Sequence, residues 1–591
     1  MSTRAPQDVS ATAITLSLSL MVAGVILAAR PAHAGERTEA QTQRFVVQAA
    51  ETTRAAVAVR RVGGTVIAEL DVIDAVGAEL SAAEAAALRA TGGLRVYADG
   101  TLQVDAKKTK TTQTTAPTAT TSTTTTTDAT TDYVRTSSAD GTAQLSELQR
   151  AFTSFGDYSH SSRVGAPDLH QQGITGKGVT VAVVDTGLWW ESDTLLSKAP
   201  KFRFDSTSAP QKDDPNGHGT HVSSIIASNR LASNLIFEGI APAADVGAVR
   251  AFHYDGSSTY IDAIEAIDHV VKNRSLHNIR VLNLSFSAAP QSYYWDDPLN
   301  QAVMKAWQAG IVVVAAAGND GPNPMTIGVP GNVPYVITVG AMTDTHTPAD
   351  GTDDRLASFS SSGPTYEGFV KPEVVAPGGH ITGSMPFDGW IPIQHPDSML
   401  DSERQFKMSG TSQATAIVSG IVALMLQKNP ALTPDEVKCK LMASARPAVD
   451  SEGRVVYSVF QQGAGLVNAP AAANSTATKC ANQGLDIAAD LAGRQHYGGP
   501  ADADASGNYY VLGADGTVLS GEGLLWDGGF AWDGAYVWSD AKVWSRTDLW
   551  SSGKIWSRGY AWSRSVSWIE GQLYSSGHTE IRSIARWVEH E

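Results

Sequence analysis

Met408-Ser409-Gly410-Thr411-Ser412-Gln413-Ala414-Thr415 presents a serine at the start of an apolar helical run. Two stretches upstream give it company. Val183-Val184-Asp185-Thr186-Gly187 comes first, then Asn216-Gly217-His218-Gly219-Thr220-His221-Val222. The chain therefore reads Asp, His, Ser, each beside glycine. Unrelated folds assemble this triad in different chain orders, so the order itself selects among folds. One serine motif is a weak signal, and three in a consistent order are a strong one.

The chemistry asks for these groups. A serine hydroxyl is a poor nucleophile until a base takes its proton. His218 is the expected base, and later the acid that protonates the leaving amine. Asp185, at the end of a buried apolar run, is expected to hold the imidazole in one tautomer and to stabilise the imidazolium. Ser412 opens its helix, so its backbone N–H and the helix dipole point at the reacting carbonyl. A tetrahedral intermediate needs a second donor for its oxyanion, and Asn319, ending Ala315-Ala316-Ala317-Gly318-Asn319, is the candidate. His221 is read as a structural neighbour.

The bulk numbers set the frame. The chain has 591 residues, 42% of them hydrophobic, and a net charge of -16. That length allows several domains, and the acidic balance argues against nucleic acid as a partner. Arg4, the apolar run Ala11 to Ala29 and Ala32-His33-Ala34 read as a signal peptide over residues 1–34. An uncleaved anchor is the alternative, because the run approaches spanning length. Export permits a bridge between the two cysteines, Cys439 and Cys480. Closing a loop of about 40 residues would stabilise by roughly 4 kcal/mol, against a reading of two unpaired small apolar side chains.

Residues 35–107 form a candidate unit of their own. Arg44 to Ala49 reads as a strand, Glu51 to Val62 as a helix and Thr65 to Val76 as a strand. Ala82 to Thr91, opened by Ser81, reads as a helix, and Leu94 to Val104 as strand, turn, strand. Residues 108–135 are a threonine-rich tract that cannot bury apolar area and is expected to be a disordered linker. Residues 136–480 alternate strand and helix as a parallel α/β sheet does. The expected strands are Val179 to Val184, Val246 to Phe252, Ile279 to Leu284 and Ile311 to Ala316. Helices are expected at Ile261 to Lys272, Leu299 to Ala309 and Thr411 to Gln427. Residues 481–591 turn Gly-, Ser- and Trp-rich. Trp526, Trp532, Trp538, Trp544, Trp550, Trp556, Trp562 and Trp568 recur every six residues. Six is a multiple of the strand period, so a strand puts every ring on one face. A helix would turn each by about 240 degrees from the last. A β-rich tail is expected, its rings either packed for stability or offered to a glycan or cell-surface ligand.

The motifs together resemble the subtilisin-like serine proteases, the subtilases. Val184-Asp185-Thr186-Gly187, Gly217-His218-Gly219-Thr220-His221-Val222, Ala317-Gly318-Asn319 and Gly410-Thr411-Ser412 carry the resemblance. Phe359-Ser360-Ser361-Ser362-Gly363-Pro364 and Lys371-Pro372-Glu373-Val374-Val375-Ala376-Pro377-Gly378 add to it. The resemblance implies a parallel α/β sandwich, endopeptidase activity on protein or peptide substrates, and export as a self-processed precursor. It also implies that residues 35–107, with βαββαβ order, are a ferredoxin-like propeptide acting as chaperone and intramolecular inhibitor. No cofactor is required for the chemistry. Structural calcium is common in the family, and Asp213-Asp214 and Asp344 to Asp354 are acidic loops where it would be sought. Ser285-Phe286-Ser287, with Ala317 and Gly318, stands where the family binds substrate. Two departures stand out. Gln413-Ala414-Thr415-Ala416 replaces Met-Ala-x-Pro, and Ser287 replaces a glycine, which leaves primary specificity open. A serine esterase is disfavoured, because Gly-x-Ser-x-Gly is absent. A surface protein acting through its Trp repeat, with a vestigial protease attached, is the remaining alternative.

Overall fold

The first structured segment alternates strand and helix with a period-2 apolar pattern, and it folds as a four-stranded antiparallel sheet. The computed structural model describes residues 42–104, 160–189, 199–207, 213–232, 235–344, 354–400, 405–448, 457–499, 501–503, 509–512 and 518–521, with short strand segments at 568–569, 572–573 and 581–583. Strands β1 (Gln43–Gln48), β2 (Thr65–Leu70), β3 (Ala75–Leu80) and β4 (Arg95–Ala98) lie in the order β2-β3-β1-β4. Helices Thr52–Val62 and Ala82–Arg89 cover one face. The second helix opens on a capping box, with Ser81 Oγ accepting from Glu84 N and Glu84 Oε2 accepting from Ser81 N. Strand alternation divides β1. Phe45 and Val47 join the helices, while Val46 joins the large core of the rest of the chain.

One expectation for this segment is corrected. Thr65 to Val76 is not one strand. It breaks after Leu70 into a 3-10 turn, Asp71–Ile73, and reverses at Asp74, whose φ is 56°. Val72 and Ile73 are buried against the larger unit, and Val72 N donates to Asp268 Oδ1 at 2.7 Å. Their apolar character came from docking, not from a continuing strand. Leu94 to Val104 forms strand, turn, strand as expected, its second strand being β5 (Thr101–Val104). It pairs antiparallel with β9 (Ser257–Thr259) of the larger unit, Leu102 opposite Ser258.

The larger unit is built on near-continuous apolar strands, as parallel sheets buried on both faces require. β6 (Thr180–Asp185), β7 (Phe202–Asp205), β8 (Asp245–Arg250), β10 (Ile279–Leu284), β11 (Val312–Ala316), β12 (Ile337–Thr343) and β13 (Arg355–Leu356) run in the order β13-β12-β11-β10-β6-β8-β7. β14 (Val374–Pro377) pairs with β12, and every pairing except β12 with β13 is parallel. From β6 the chain builds the sheet outward first through β8, then on the other side through β10. That reversal leaves a crevice at the carboxyl ends of these strands. Helices Tyr260–Asn273 and Pro298–Gln308 pack between this sheet and the N-terminal unit. Helix Thr411–Lys428 is buried along nearly its whole length against β10, β11 and β12.

The segment after residue 480 continues the packing. Cys439 and Cys480 form a disulfide. Asp490, 2% exposed, accepts from Tyr294 Oη at 2.6 Å and Tyr335 Oη at 2.9 Å, and His496 Nδ1 lies 2.7 Å from its other oxygen. β17 (Ala501–Ala503), β18 (Tyr509–Leu512) and β19 (Val518–Gly521) form a small antiparallel sheet. Residues 1–34, read as a signal peptide, the threonine-rich tract and Trp526 through Trp562 lie outside the described residues.

Ion pairs add to the apolar contacts between the two units. Arg44 bridges Asp99 at 3.2 Å and Asp262 at 3.1 Å, and Lys272 holds Asp71 and Asp268, each at 2.6 Å. Burial pushes the Asp99 carboxyl up to about 6, against 3.8 when free. The folded form therefore favours protonated Asp99. The stability this group contributes is present below about pH 4 and is lost as pH rises through about 6. A Ser412→Ala chain should melt higher at pH 5 than at pH 8, and Asp99→Asn should shrink that difference. A difference untouched by Asp99→Asn would assign it to other groups.

Candidate active site

Asp185 is the last residue of β6, at the crevice where the sheet order reverses. His218 is the first residue of helix His218–Ala227, and its Nδ1 lies 2.7 Å from Asp185 Oδ1. Thr186 N donates to the same oxygen at 2.7 Å. The two side chains are buried, so this contact is made away from water. The glycines beside His218 are required by close approach. Gly217 has φ 107°, and a Cβ there would meet Met385 Sδ at 2.1 Å. A Cβ on Gly219 would stand 2.2 Å from Gly187 O.

Ser412 is the second residue of its buried helix. Its Oγ donates to Ser285 O at 3.1 Å, and Ser285 Oγ donates to Ser412 O at 3.1 Å. Asn283 Nδ2 supports Ser285 Oγ at 2.9 Å and is itself fixed by Ser419 Oγ, which donates to Asn283 Oδ1 at 2.8 Å. The Ser412 backbone is thus locked to the end of β10. Asn319 follows β11 through Gly318, whose φ is 120°. Its Oδ1 accepts from Thr411 N and from Thr411 Oγ1, both at 3.0 Å. Nδ2 is buried and has no hydrogen-bond partner among the described residues. The Asn319 amide is thus held beside the N-terminus of the helix carrying Ser412.

The structure divides the substrate-binding candidates. Ser285 is engaged with Ser412 through two hydrogen bonds. The Phe286 ring is in the core, 5.2 Å from the Phe252 ring. Ala317 N donates to Val339 O and Ala317 O accepts from Gly328 N, so both groups are used internally. Gly318 O accepts from Ser361 N. Ser287 is buried, with its Oγ 3.4 Å from where a Gly318 Cβ would stand and 2.7 Å from a Gly328 Cβ. His221 is buried, its Nε2 3.0 Å from Phe406 O, and burial pushes its imidazole down to about 3. It therefore stays neutral, as a structural neighbour would.

Asp213 and Asp214 are already engaged. Asp213 bridges Arg203 at 2.7 Å. Asp214 is already filled by five donors from Thr186, Asn216, Gly217 and Thr220. A cation needs free carboxylate oxygens. Most of the Asp344 to Asp354 loop lies outside the described residues, and among the described residues no cluster of three acidic, His or Cys side chains is placed to hold a metal.

The sequence model of the subtilase family matches residues 176–476. The chain belongs to the subtilase family. It is 41% identical over 303 residues to serine protease AprX of Bacillus subtilis, covering 50% of this chain and 66% of that one. It is 33% identical over 314 residues to subtilisin E of Bacillus subtilis, covering 53% and 70%. Subtilisin of Bacillus pumilus is 32% identical over 314 residues and covered over 97% of its length. The subtilase match makes this chain a hydrolase of the subtilisin-like serine endopeptidase class. No helix among the described residues is long and apolar enough to cross a membrane.

Sequence reading missed Asp214, Thr186, Thr411 and Asn283 as parts of the site. Only Thr186 and Thr411 had a signal, being adjacent to Asp185 and Ser412.

Proposed function

We propose that Asp185, His218, Ser412 and Asn319 hydrolyse peptide bonds in protein or peptide substrates. The observation that carries this is the buried 2.7 Å contact between His218 Nδ1 and Asp185 Oδ1, in a crevice shared with Ser412 and the unpaired amide of Asn319. Ser412 Oγ attacks the scissile carbonyl carbon as its proton passes to His218 Nε2. The C–O bond forms, and the carbonyl oxygen takes up the electron pair against Asn319 Nδ2 and the backbone N–H of Ser412. The C–N bond then breaks as the imidazolium protonates the leaving amine. Water repeats the sequence on the acyl-enzyme and restores Ser412. Asp185 keeps Nδ1 protonated throughout and offsets the charge on the imidazolium. A site holding all four groups supports catalysis over a vestigial fold.

The chain is made, on this reading, as an exported precursor, with residues 35–107 as its built-in inhibitor. Three features support it. The Ala32-His33-Ala34 motif follows an apolar run. The N-terminal sheet is tied to the catalytic unit through Arg44, Lys272 and Gln48, whose Nε2 donates to Gln301 Oε1 at 2.7 Å. β5 leaves that sheet to pair with β9, leading the chain along the catalytic unit.

Asn319→Ala tests the oxyanion role. It should lower kcat by about 10²–10³, a range carried over from subtilisin, a member of the same family. KM should change little, because the donor acts on charge that develops only in the transition state. Unchanged kcat on a chromogenic peptide would remove Asn319 from the mechanism.

A further inference from the structure

Asp214 stands four residues before His218 and is 3% exposed. Its Oδ1 accepts from Thr186 Oγ1 at 2.8 Å, Gly217 N at 2.9 Å and Asn216 N at 3.3 Å. Its Oδ2 accepts from Thr220 N at 2.8 Å and Thr220 Oγ1 at 2.5 Å. These bonds answer a local problem. The helix that carries His218 opens on Gly217, which has no side chain to cap the first turn. Asp214 reaches forward and supplies the acceptor a capping Ser or Asp would give, with a charge suited to the positive end of the helix.

Thr186 extends the effect to the other side of the dyad. Its N–H donates to Asp185 Oδ1, the oxygen that meets His218 Nδ1. Its hydroxyl donates to Asp214 and accepts from Gly219 N at 2.8 Å. The end of β6 and the start of the His218 helix are therefore joined through one threonine, and Asp214 sets that threonine's rotamer.

We propose that Asp214 is a positioning residue for peptide-bond hydrolysis. Acting through Thr186 and the first turn of the helix, it keeps the His218 imidazole aligned on Asp185 while the ring gains and loses its proton. This rests on the triad reading above. The carboxylate form is needed, since an amide in its place offers a single acceptor oxygen to five donors.

The test uses Asp214→Asn and Thr186→Val in the full chain. Active enzyme is counted by sulfonyl fluoride titration of Ser412, so that misfolded protein does not enter kcat. Each variant should lose roughly 10²-fold in kcat, the scale of a misplaced catalytic group, with KM nearly unchanged. The acid limb of the kcat/KM profile should move to lower pH, because a loosened carboxylate stabilises the imidazolium less. The double variant should lose little more than either single one, since both act through the same contact. If titrated enzyme of both variants keeps wild-type kcat and acid limb and only melts lower, Asp214 is a helix cap alone and the proposal is overturned. Thr186→Val decides the matter if Asp214→Asn does not fold. Wild-type enzyme whose activity survives Ser412→Ala would instead overturn the triad reading, and this proposal with it.

Discussion

Ser412→Ala should be the most damaging single change to activity, lowering kcat by about 10⁶, a magnitude carried over from subtilisin, a member of the same family. The loss follows from how the site is wired. On the proposed mechanism Ser412 supplies the attacking hydroxyl, since Thr411 Oγ1 is already engaged with Asn319 Oδ1, and without it no covalent acyl intermediate forms. His218, Asp185 and Asn319 remain in place but have no nucleophile to serve, so adding His218→Ala should cost little more. The fold should tolerate the change, because the helix that carries Ser412 is buried along its length and Ser285 Oγ still donates to the Ser412 backbone carbonyl. The same variant reads the precursor question. If the chain cuts itself, Ser412→Ala accumulates the uncut form, visible as a larger band with its original N-terminus. Casein cleavage equal to wild type, in folded protein, would end the protease assignment for Ser412.

The second large effect is on stability and lies away from the chemistry. Glu373 is buried between two lysines. Its Oε1 lies 2.7 Å from Lys371 Nζ and 2.8 Å from Lys438 Nζ, and its Oε2 accepts from Thr338 N at 2.8 Å. Lys371 also donates to Val336 O and Thr338 Oγ1, and Lys438 to Pro334 O and Asn482 Oδ1. Burial pushes the Lys371 ammonium down to about 7, which shows how expensive the charge is there. Glu373→Gln removes the compensating charge and leaves both ammonium groups buried. Breaking such a cluster on one side costs about 3–5 kcal/mol. The network ties β12 and β14 to the Cys439 helix and to Asn482 just past the disulfide. Glu373→Gln should therefore lower the Tm and loosen the post-480 segment, seen as faster proteolysis there. A Tm within a degree or so of wild type, on the usual relation between stability and Tm, would show that the lysines lose their charge at little cost.

Much of this site was legible in the residues. Asp185, His218, Ser412 and Asn319 were named from local settings, each beside glycine or at a helix start, because local geometry determines which residue types are tolerated there. The buried strands were legible as near-continuous apolar runs, and Ser81 announced its helix as an N-cap. The failures share a cause. Val72 and Ile73 read as strand because burial against another unit has the same apolar signature as burial within a sheet. β5 was assigned its strand but not its partner. Asp214 was weighed as a calcium ligand or a solvated loop charge, since nothing in its neighbourhood announces five converging donors.

The sequence alone determined the chemical inventory, the chain order of the triad and the parallel α/β class. These depend on residue type, on order and on periods of a few residues. The tertiary structure decided which groups meet. Asp185 and His218 are 33 residues apart, Asn319 and Thr411 92, and Ser285 and Ser412 127. Hydrogen bonds over such separations have no period in the chain. They exist only because the carboxyl ends of β6, β10 and β11 and the start of one buried helix converge on a single crevice, which also made Asn319 a poised donor, Ser285 a support and Asp214 the clamp on the histidine.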